Sequence, residues 1–168
     1  SKIEMREESD SGQVFIFFGD SKFSLPYLPT SDFPEMQEEN LENNFELEAE
    51  KLRYLINDCK FSMGLDESRL YLNGIYLHQN DKYLVSVATD GHSLSKCQVN
   101  KENGVKDFNG IIIPKKTVYE VSKLLEDFDS KIGVSFSKTK IKLNIGNIKL
   151  TSKLLNAEFP GYESVIPK

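Results

Sequence analysis

Apolar positions along the chain change period several times, and each change marks an element. Val14–Phe18 is an unbroken apolar run between Ser11-Gly12 and Gly19-Asp20, which predicts a strand. Lys22–Leu25 alternates polar and apolar before Pro26 and predicts a second. Pro26, Pro29 and Pro34 then interrupt the pattern, and the acidic run Glu35–Glu42 follows, so residues 35–43 read as a linker. Two strands hold no core by themselves. Residues 1–34 are therefore expected to be the end of an upstream domain, and a start at Ser1 leads us to expect a chain trimmed from a longer one.

Beyond residue 44 the pattern doubles. Phe45–Leu47 predicts a short strand, and Leu52, Leu55, Ile56 and Cys59 fall at i, i+3, i+4 and i+7. That stripe predicts a helix over Glu48–Met63, stopped by Gly64. Strands are expected at Arg69–His78, Lys82–Thr89 and Ser93–Val99. The order then recurs. Gly110–Ile113 predicts a strand, and Pro114 opens a helix to about Phe128 with Val118, Val121, Leu124 and Leu125 inward. Strands at Lys131–Ser137, Thr139–Ile145 and Asn147–Leu154 complete the second copy. A strand-helix-three-strand unit repeated at about 65 residues predicts a pseudo-symmetric α+β domain, with antiparallel sheets outside and two helices on one face. The tail Glu158–Lys168 reads as an irregular exit strand.

Charge sharpens this division. The 168 residues carry a net charge of −5, but residues 1–50 hold 3 basic and 13 acidic residues, against 18 and 13 in residues 51–168. An acidic leader thus masks a basic body, and the whole-chain balance does not exclude a nucleic-acid partner. Two Cys, 38 positions apart, make neither a disulfide framework nor a metal cage, and they read as small core fillers in a reducing compartment. No apolar run approaches the roughly 18 residues of a membrane helix.

The candidate chemistry is sparse. Asp90 and His92 could pair as orienter and base, but Thr89-Asp90-Gly91-His92 is better explained as a tight turn between strands. His78 reads as a surface residue at a strand end. No nucleophile motif, zinc spacing or glycine-rich phosphate loop is present, so neither catalysis nor a cofactor is expected. Lys138, Lys140, Lys142, Lys149 and Lys153 read as the solvated face of a sheet. Lys116 and Lys123 lie opposite the apolar stripe of their helix and Lys115 near its start, while Arg53 and Asn57 lie away from the stripe of the first. Leu72, Leu94, Pro160 and Val165 are expected to converge on a small apolar cleft suited to a short peptide.

Four segments together resemble the bacterial DNA polymerase III beta subunits, the sliding clamps. They are Ser31-Asp32-Phe33-Pro34-Glu35-Met36, Arg69-Leu70-Tyr71-Leu72-Asn73-Gly74, Val87-Ala88-Thr89-Asp90-Gly91-His92, and Phe159-Pro160-Gly161-Tyr162 continuing through Val165-Ile166-Pro167. The resemblance implies that residues 1–34 are the last strands of a first clamp domain and that 44–165 are a complete middle domain, with the third domain absent. It implies a non-catalytic, cytoplasmic processivity factor: a head-to-tail homodimeric ring with helices inside and sheets outside, encircling duplex DNA without reading its sequence. Its partners would be DNA polymerase III, the clamp loader and other proteins with clamp-binding motifs. The implied peptide pocket comprises Leu72, Thr89, Gly91, His92, Ser93, Leu94, Pro160, Ser164 and Val165, and the implied DNA-facing groups are Arg69, Lys115 and Lys116. Ser93 stands where many members carry Arg and Ser164 where some do, which removes two long donor side chains. The isolated chain is expected to be a monomer. The competing reading is an unrelated antiparallel α+β protein-interaction domain without DNA binding.

Overall fold

A computed structural model of the chain describes residues 2–8, 11–34, 40–66, 68–102 and 104–166. Most of the expected acidic linker, residues 35–39, lies outside the described residues. The chain divides into two compact units, Ser1–Glu38 and Glu39–Lys168.

The first unit is a three-stranded antiparallel sheet of β1 (Ile3–Glu8), β2 (Gln13–Phe18) and β3 (Ser21–Pro26), paired in that order. Sequence reading missed β1, because four of its six residues are charged. Pairing explains it: Ile3 lies opposite Phe18 and Met5 opposite Ile16. Ile16 in turn faces Phe23, and Val14 faces Leu25, so one face of the sheet is mostly apolar, with Glu7 and Ser21 at its ends. On the other face the Arg6 and Lys22 cations sit over aromatic rings, Arg6 at 5.2 Å from Phe17 and Lys22 at 4.2 Å from Phe15. None of the described residues of this unit is buried.

The second unit contains both copies of the repeat. The first copy is β4 (Asn43–Glu48), α1 (Ala49–Asn57), β5 (Gly74–Gln79), β6 (Tyr83–Thr89) and β7 (Leu94–Asn100). The second is β8 (Ile111–Pro114), α2 (Lys115–Leu124), β9 (Lys131–Phe136), β10 (Lys140–Ile145) and β11 (Ile148–Lys153). The two copies exchange their first strands. One sheet runs β11-β10-β9-β4 and the other β7-β6-β5-β8, all antiparallel. Each exchanged strand passes into its helix through an equivalent hydrogen bond. Ala49 N–H donates to Ser130 O at 3.2 Å and Lys115 N–H to Asn73 O at 2.9 Å. The fold class is the expected α+β, in two sheets rather than one continuous layer.

Both helices are shorter than their apolar stripes suggested. α1 ends at Asn57, and a separate 3-10 turn (Lys60–Ser62) carries the chain to Gly64. The expected strand from Arg69 begins only at Gly74, because Leu70–Leu72 is another 3-10 turn. Gly74 marks the change: a Cβ there would collide with the carbonyl of Ile113 on β8, so only glycine allows the two strands to close.

The main core lies between the inner sheet faces and the helices. Leu52, Leu55, Ile56 and Cys59 from the first copy, and Val118, Val121 and Leu125 from the second, are all buried. The β10 sequence alternates, with Ile141, Leu143 and Ile145 inward and Lys140, Lys142 and Asn144 outward. Its outward lysines share a face with Lys149 and Lys153 on β11. β6 does not alternate, because its sheet is covered twice. Leu84 and Ala88 face the main core, while Val85 and Val87 join a second cluster with Ile112, Phe159 and Tyr162. Cys59 sits at the end of the α1 stripe with Sγ 3.2 Å from Ser86 Oγ, and burial pushes its thiol up to about 12.

Arg53 and Asn57 do not face solvent freely. Arg53 donates from Nε to Leu125 O and from Nη2 to Phe128 O, both at 2.8 Å, and also pairs with Asp129 at 2.9 Å. These carbonyls belong to the C-cap of α2 and to the turn that follows it. Asn57 Oδ1 accepts from Ser122 Oγ at 2.7 Å and from Lys60 Nζ at 2.9 Å. A side chain on one copy thus secures the helix of the other.

Two outcomes are expected. Arg53→Ala should lower the unfolding free energy by about 1–3 kcal/mol through carbonyls left without their donor; a denaturant titration shifted by less than ~0.5 kcal/mol, the range of an ordinary surface change, would show the staple to be idle. Residues 1–34 as an isolated peptide should show no cooperative thermal transition by circular dichroism, since their sheet buries nothing of its own.

Candidate functional site

Three segments distant in sequence meet at one end of the β7-β6-β5-β8 sheet. The first is the 3-10 turn Leu70–Leu72, held by loop hydrogen bonds from Gly64 N–H to Leu72 O at 2.8 Å and from Asn73 Nδ2 to Asp66 O at 2.9 Å. The second is the β6–β7 turn, residues 89–94. The third is the tail, which docks Phe159 and Tyr162 on the outer face of the sheet and ends in a 3-10 turn at Tyr162–Val165 rather than the expected strand. Between them lies a cavity of about 420 Å³.

Eight of the nine residues expected in a peptide pocket line it: Leu72, Thr89, Gly91, His92, Ser93, Leu94, Pro160 and Val165. Ser164 does not, and its hydroxyl donates to Gly161 O at 3.1 Å within the tail turn. The walls are apolar at Leu72, which is buried, and at Val165, which is 67% exposed and therefore open to contact. Arg69, Tyr71, Gly161 and Tyr162 also line the cavity. Sequence reading did not place these four there, although all lie within its motif segments.

The β6–β7 turn is locked by its own side chains. Asp90 Oδ1 accepts from Ser93 N–H at 2.7 Å, His92 N–H at 2.8 Å and Ser93 Oγ at 3.1 Å. The Ser93 and His92 amides hold this carboxylate down to about 2. Asp90 therefore serves the backbone rather than the His92 ring, and no orienter-base pair forms between them. Thr89 Oγ1 donates to Ser93 O at 2.6 Å and accepts from Gly91 N–H at 3.0 Å. Gly91 has φ +93°, and a Cβ there would stand 3.0 Å from Arg69 Nη1. The backbone angle favours glycine, while a Cβ would only displace the flexible end of Arg69.

Arg69 spans the first two segments. Its Nε donates to Asp66 Oδ2 at 2.8 Å, and its plane rests against Gly91. Ser68 Oγ, then Arg69, hold Asp66 at about 2. Arg69, expected to face DNA, is thus a wall of the cavity with its charge paired. The other two expected DNA-facing groups lie together at the start of α2, Lys115 half-buried with Nζ 5.9 Å from the Tyr119 ring centre, and Lys116 exposed.

His78, read from sequence as a surface residue, is half-buried behind the tail. Its Nε2 lies 2.9 Å from the Tyr162 hydroxyl. Burial lowers its pKa from the ordinary value and raises that of Tyr162 to about 12. Among the described residues, no helix is long and apolar enough to cross a membrane, and no group of three His, Cys, Asp or Glu is placed to hold a metal ion.

Comparison with known proteins agrees with this architecture. The beta sliding clamp of Pseudomonas aeruginosa is 36% identical over 166 residues, covering 99% of this chain and 45% of that protein. The beta sliding clamp of Rickettsia felis is 40% identical over 151 residues, covering 88% of this chain and 40% of its own length. A solved sliding clamp from Bartonella birtlesii, bound to griselimycin, superposes with a TM-score of 0.87 at 40% identity, covering 94% of this chain and 44% of that one. The chain thus spans less than half the length of these relatives. Residues 46–161 match the DNA polymerase III beta subunit, central domain. The chain belongs to the DNA polymerase III beta subunit family, with that central domain as its larger folded unit.

Proposed function

We propose that this chain is part of a ring-shaped sliding clamp, a non-catalytic processivity factor that encircles duplex DNA in the cytoplasm and tethers polymerase and other partners by short peptides. The observation that carries the reading is the cavity. Leu72, Leu94, Pro160 and Val165 come from segments up to 93 positions apart, yet they converge on one cleft of about 420 Å³. Apolar walls with a few fixed polar groups suit a short peptide. Griselimycin binding by the Bartonella relative supports a ligand-binding clamp surface in the family.

Residues 44–165 are read as the middle domain and residues 1–34 as the last strands of the first. The apolar face shared by Met5, Ile16 and Phe23 supports this, since such a face requires cover from further chain. Lys115 and Lys116, at the positive end of α2, are the groups we assign to the DNA backbone, with Arg69 contributing less because Asp66 neutralises it. Contacts this few permit sliding, and retention then comes from ring closure rather than affinity. The full-length ring is a head-to-tail homodimer whose closing surfaces lie on the first and third domains, so the isolated chain is a monomer.

Two measurements test this. The full-length parent protein, loaded on circular duplex DNA, should remain bound at moderate salt until the circle is cut; rapid loss from uncut circles would refute the ring. The isolated chain should bind a clamp-motif peptide with a Kd weaker than about 1 μM, and Ser93→Arg should tighten it by restoring a donor at the cavity rim. Submicromolar binding by the unaltered chain would show that the cavity needs no neighbouring domain.

A further inference from the structure

The tail wall of the cavity has few attachments of its own. Its 3-10 turn is a single turn, and the Ser164–Gly161 hydrogen bond is local to it. Its seat is a pair of rings on the outer face of β5. Phe159 stacks on Tyr76 at 4.7 Å and 5° between planes. Tyr76 stacks in turn on His78 at 5.0 Å. The Tyr162 hydroxyl closes the set at His78 Nε2, 84 residues away in sequence. With the Nδ1 proton directed toward Gln79 O at 3.5 Å, the neutral ring leaves Nε2 to accept the Tyr162 hydroxyl proton.

We propose that His78 is a positioning residue for the cavity: through Tyr162 it holds the tail turn that presents Pro160 and Val165, and protonation of its ring releases that hold. A protonated ring has no lone pair at Nε2, so it can keep the Tyr162 contact only as donor to the hydroxyl oxygen, and it then carries a charge half-buried beneath the docked tail. The proposal rests on the peptide-pocket reading only for its consequence in binding.

The charged and titratable groups around His78 set the direction. Burial disfavours its protonation, and so does Lys96 from β7, whose Nζ is 5.7 Å from the Tyr162 ring centre. The Gln79 carbonyl and Glu163 on the tail favour protonation, less strongly than burial opposes it. Tyr76 and Tyr162 stay neutral, their pKa values raised first by burial, with Glu163 next for both and Glu158 acting also on Tyr76. The folded-state value of His78 therefore lies below its ordinary 6.5. The hold is complete above that ordinary value and is lost as pH falls through the lower, folded-state value.

The test is hydrogen exchange of the 159–166 amides in the 168-residue chain, between about pH 7.5 and 5, after correction for intrinsic rates. It is paired with titration by griselimycin. His78→Phe keeps a ring for the stack and removes the acceptor. Tyr162→Phe removes the donor. Each should speed tail exchange about three- to tenfold at neutral pH, and the double variant should add nothing further. His78→Gln keeps an acceptor that does not titrate, so protection should persist and become flat with pH. Griselimycin binding should weaken in parallel with lost protection. Unchanged tail exchange in His78→Phe would overturn the proposal. So would a pH dependence surviving in His78→Gln, which would show that another group controls the tail. If the unaltered chain fails to bind griselimycin, the peptide-pocket reading suffers, while the exchange data still decide the role of His78.

Discussion

β4 pairs with β9 and β8 pairs with β5, so neither copy of the repeat completes its own sheet. Each helix follows directly on an exchanged strand, and it starts beside the point where the other copy's strands begin. The consequence is a single core drawn from both copies rather than two stacked ones. Arg53 extends the same dependence to polar groups, because the carbonyls it satisfies belong to the C-cap of α2 and the turn that follows it. Gly74 shows how close the exchange brings the chains, since the β5–β8 approach leaves no room for a Cβ. A fold built this way gains cooperativity, because loss of either copy exposes the apolar side of both.

The site depends on a second layer laid over that core. The β7-β6-β5-β8 sheet has helices on one side and the tail on the other, whereas the outer face of the β11-β10-β9-β4 sheet carries lysines. Tail docking is what converts a sheet end into a cavity. Without Phe159 and Tyr162 seated, Pro160 and Val165 would have no fixed position opposite Leu72 and Leu94. The β6–β7 turn supplies the rigid wall, with Asp90 spent on three hydrogen bonds inside it. Arg69 joins that wall to the Leu70–Leu72 turn and gives up free charge to Asp66 in doing so. An apparent catalytic pair is thus part of a shaped surface, and Arg69 is a wall of the same cavity.

The doubling of strand, helix and three strands was legible from periodicity, because alternation and helical spacing follow local geometry. Eight of the twelve cavity residues were legible too, Leu72, Leu94, Pro160 and Val165 as an apolar cleft and the others by resemblance to a family. What failed did so for identifiable reasons. β1 was hidden by its charges, which an exposed strand tolerates once its neighbour supplies the pairing. Arg69–Asn73 looked like strand because Leu and Tyr suit one, yet the approach to β8 forces a 3-10 turn before Gly74. His78 looked superficial because nothing near it in sequence signals burial.

By itself, then, the sequence determined the doubled elements of the larger unit and their order, the apolar stripes of α1 and α2, and the turn chemistry of Asp90 and Gly91. These are properties of residues within a few positions of each other, where propensity and hydrogen bonding act directly. Only the tertiary structure decided which strands pair, where Arg53 and His78 point, and that the tail covers a sheet face. The Arg53 and His78 contacts join residues 72 and 84 positions apart, and such outcomes are set by the requirement to bury apolar faces while pairing the polar groups left beside them.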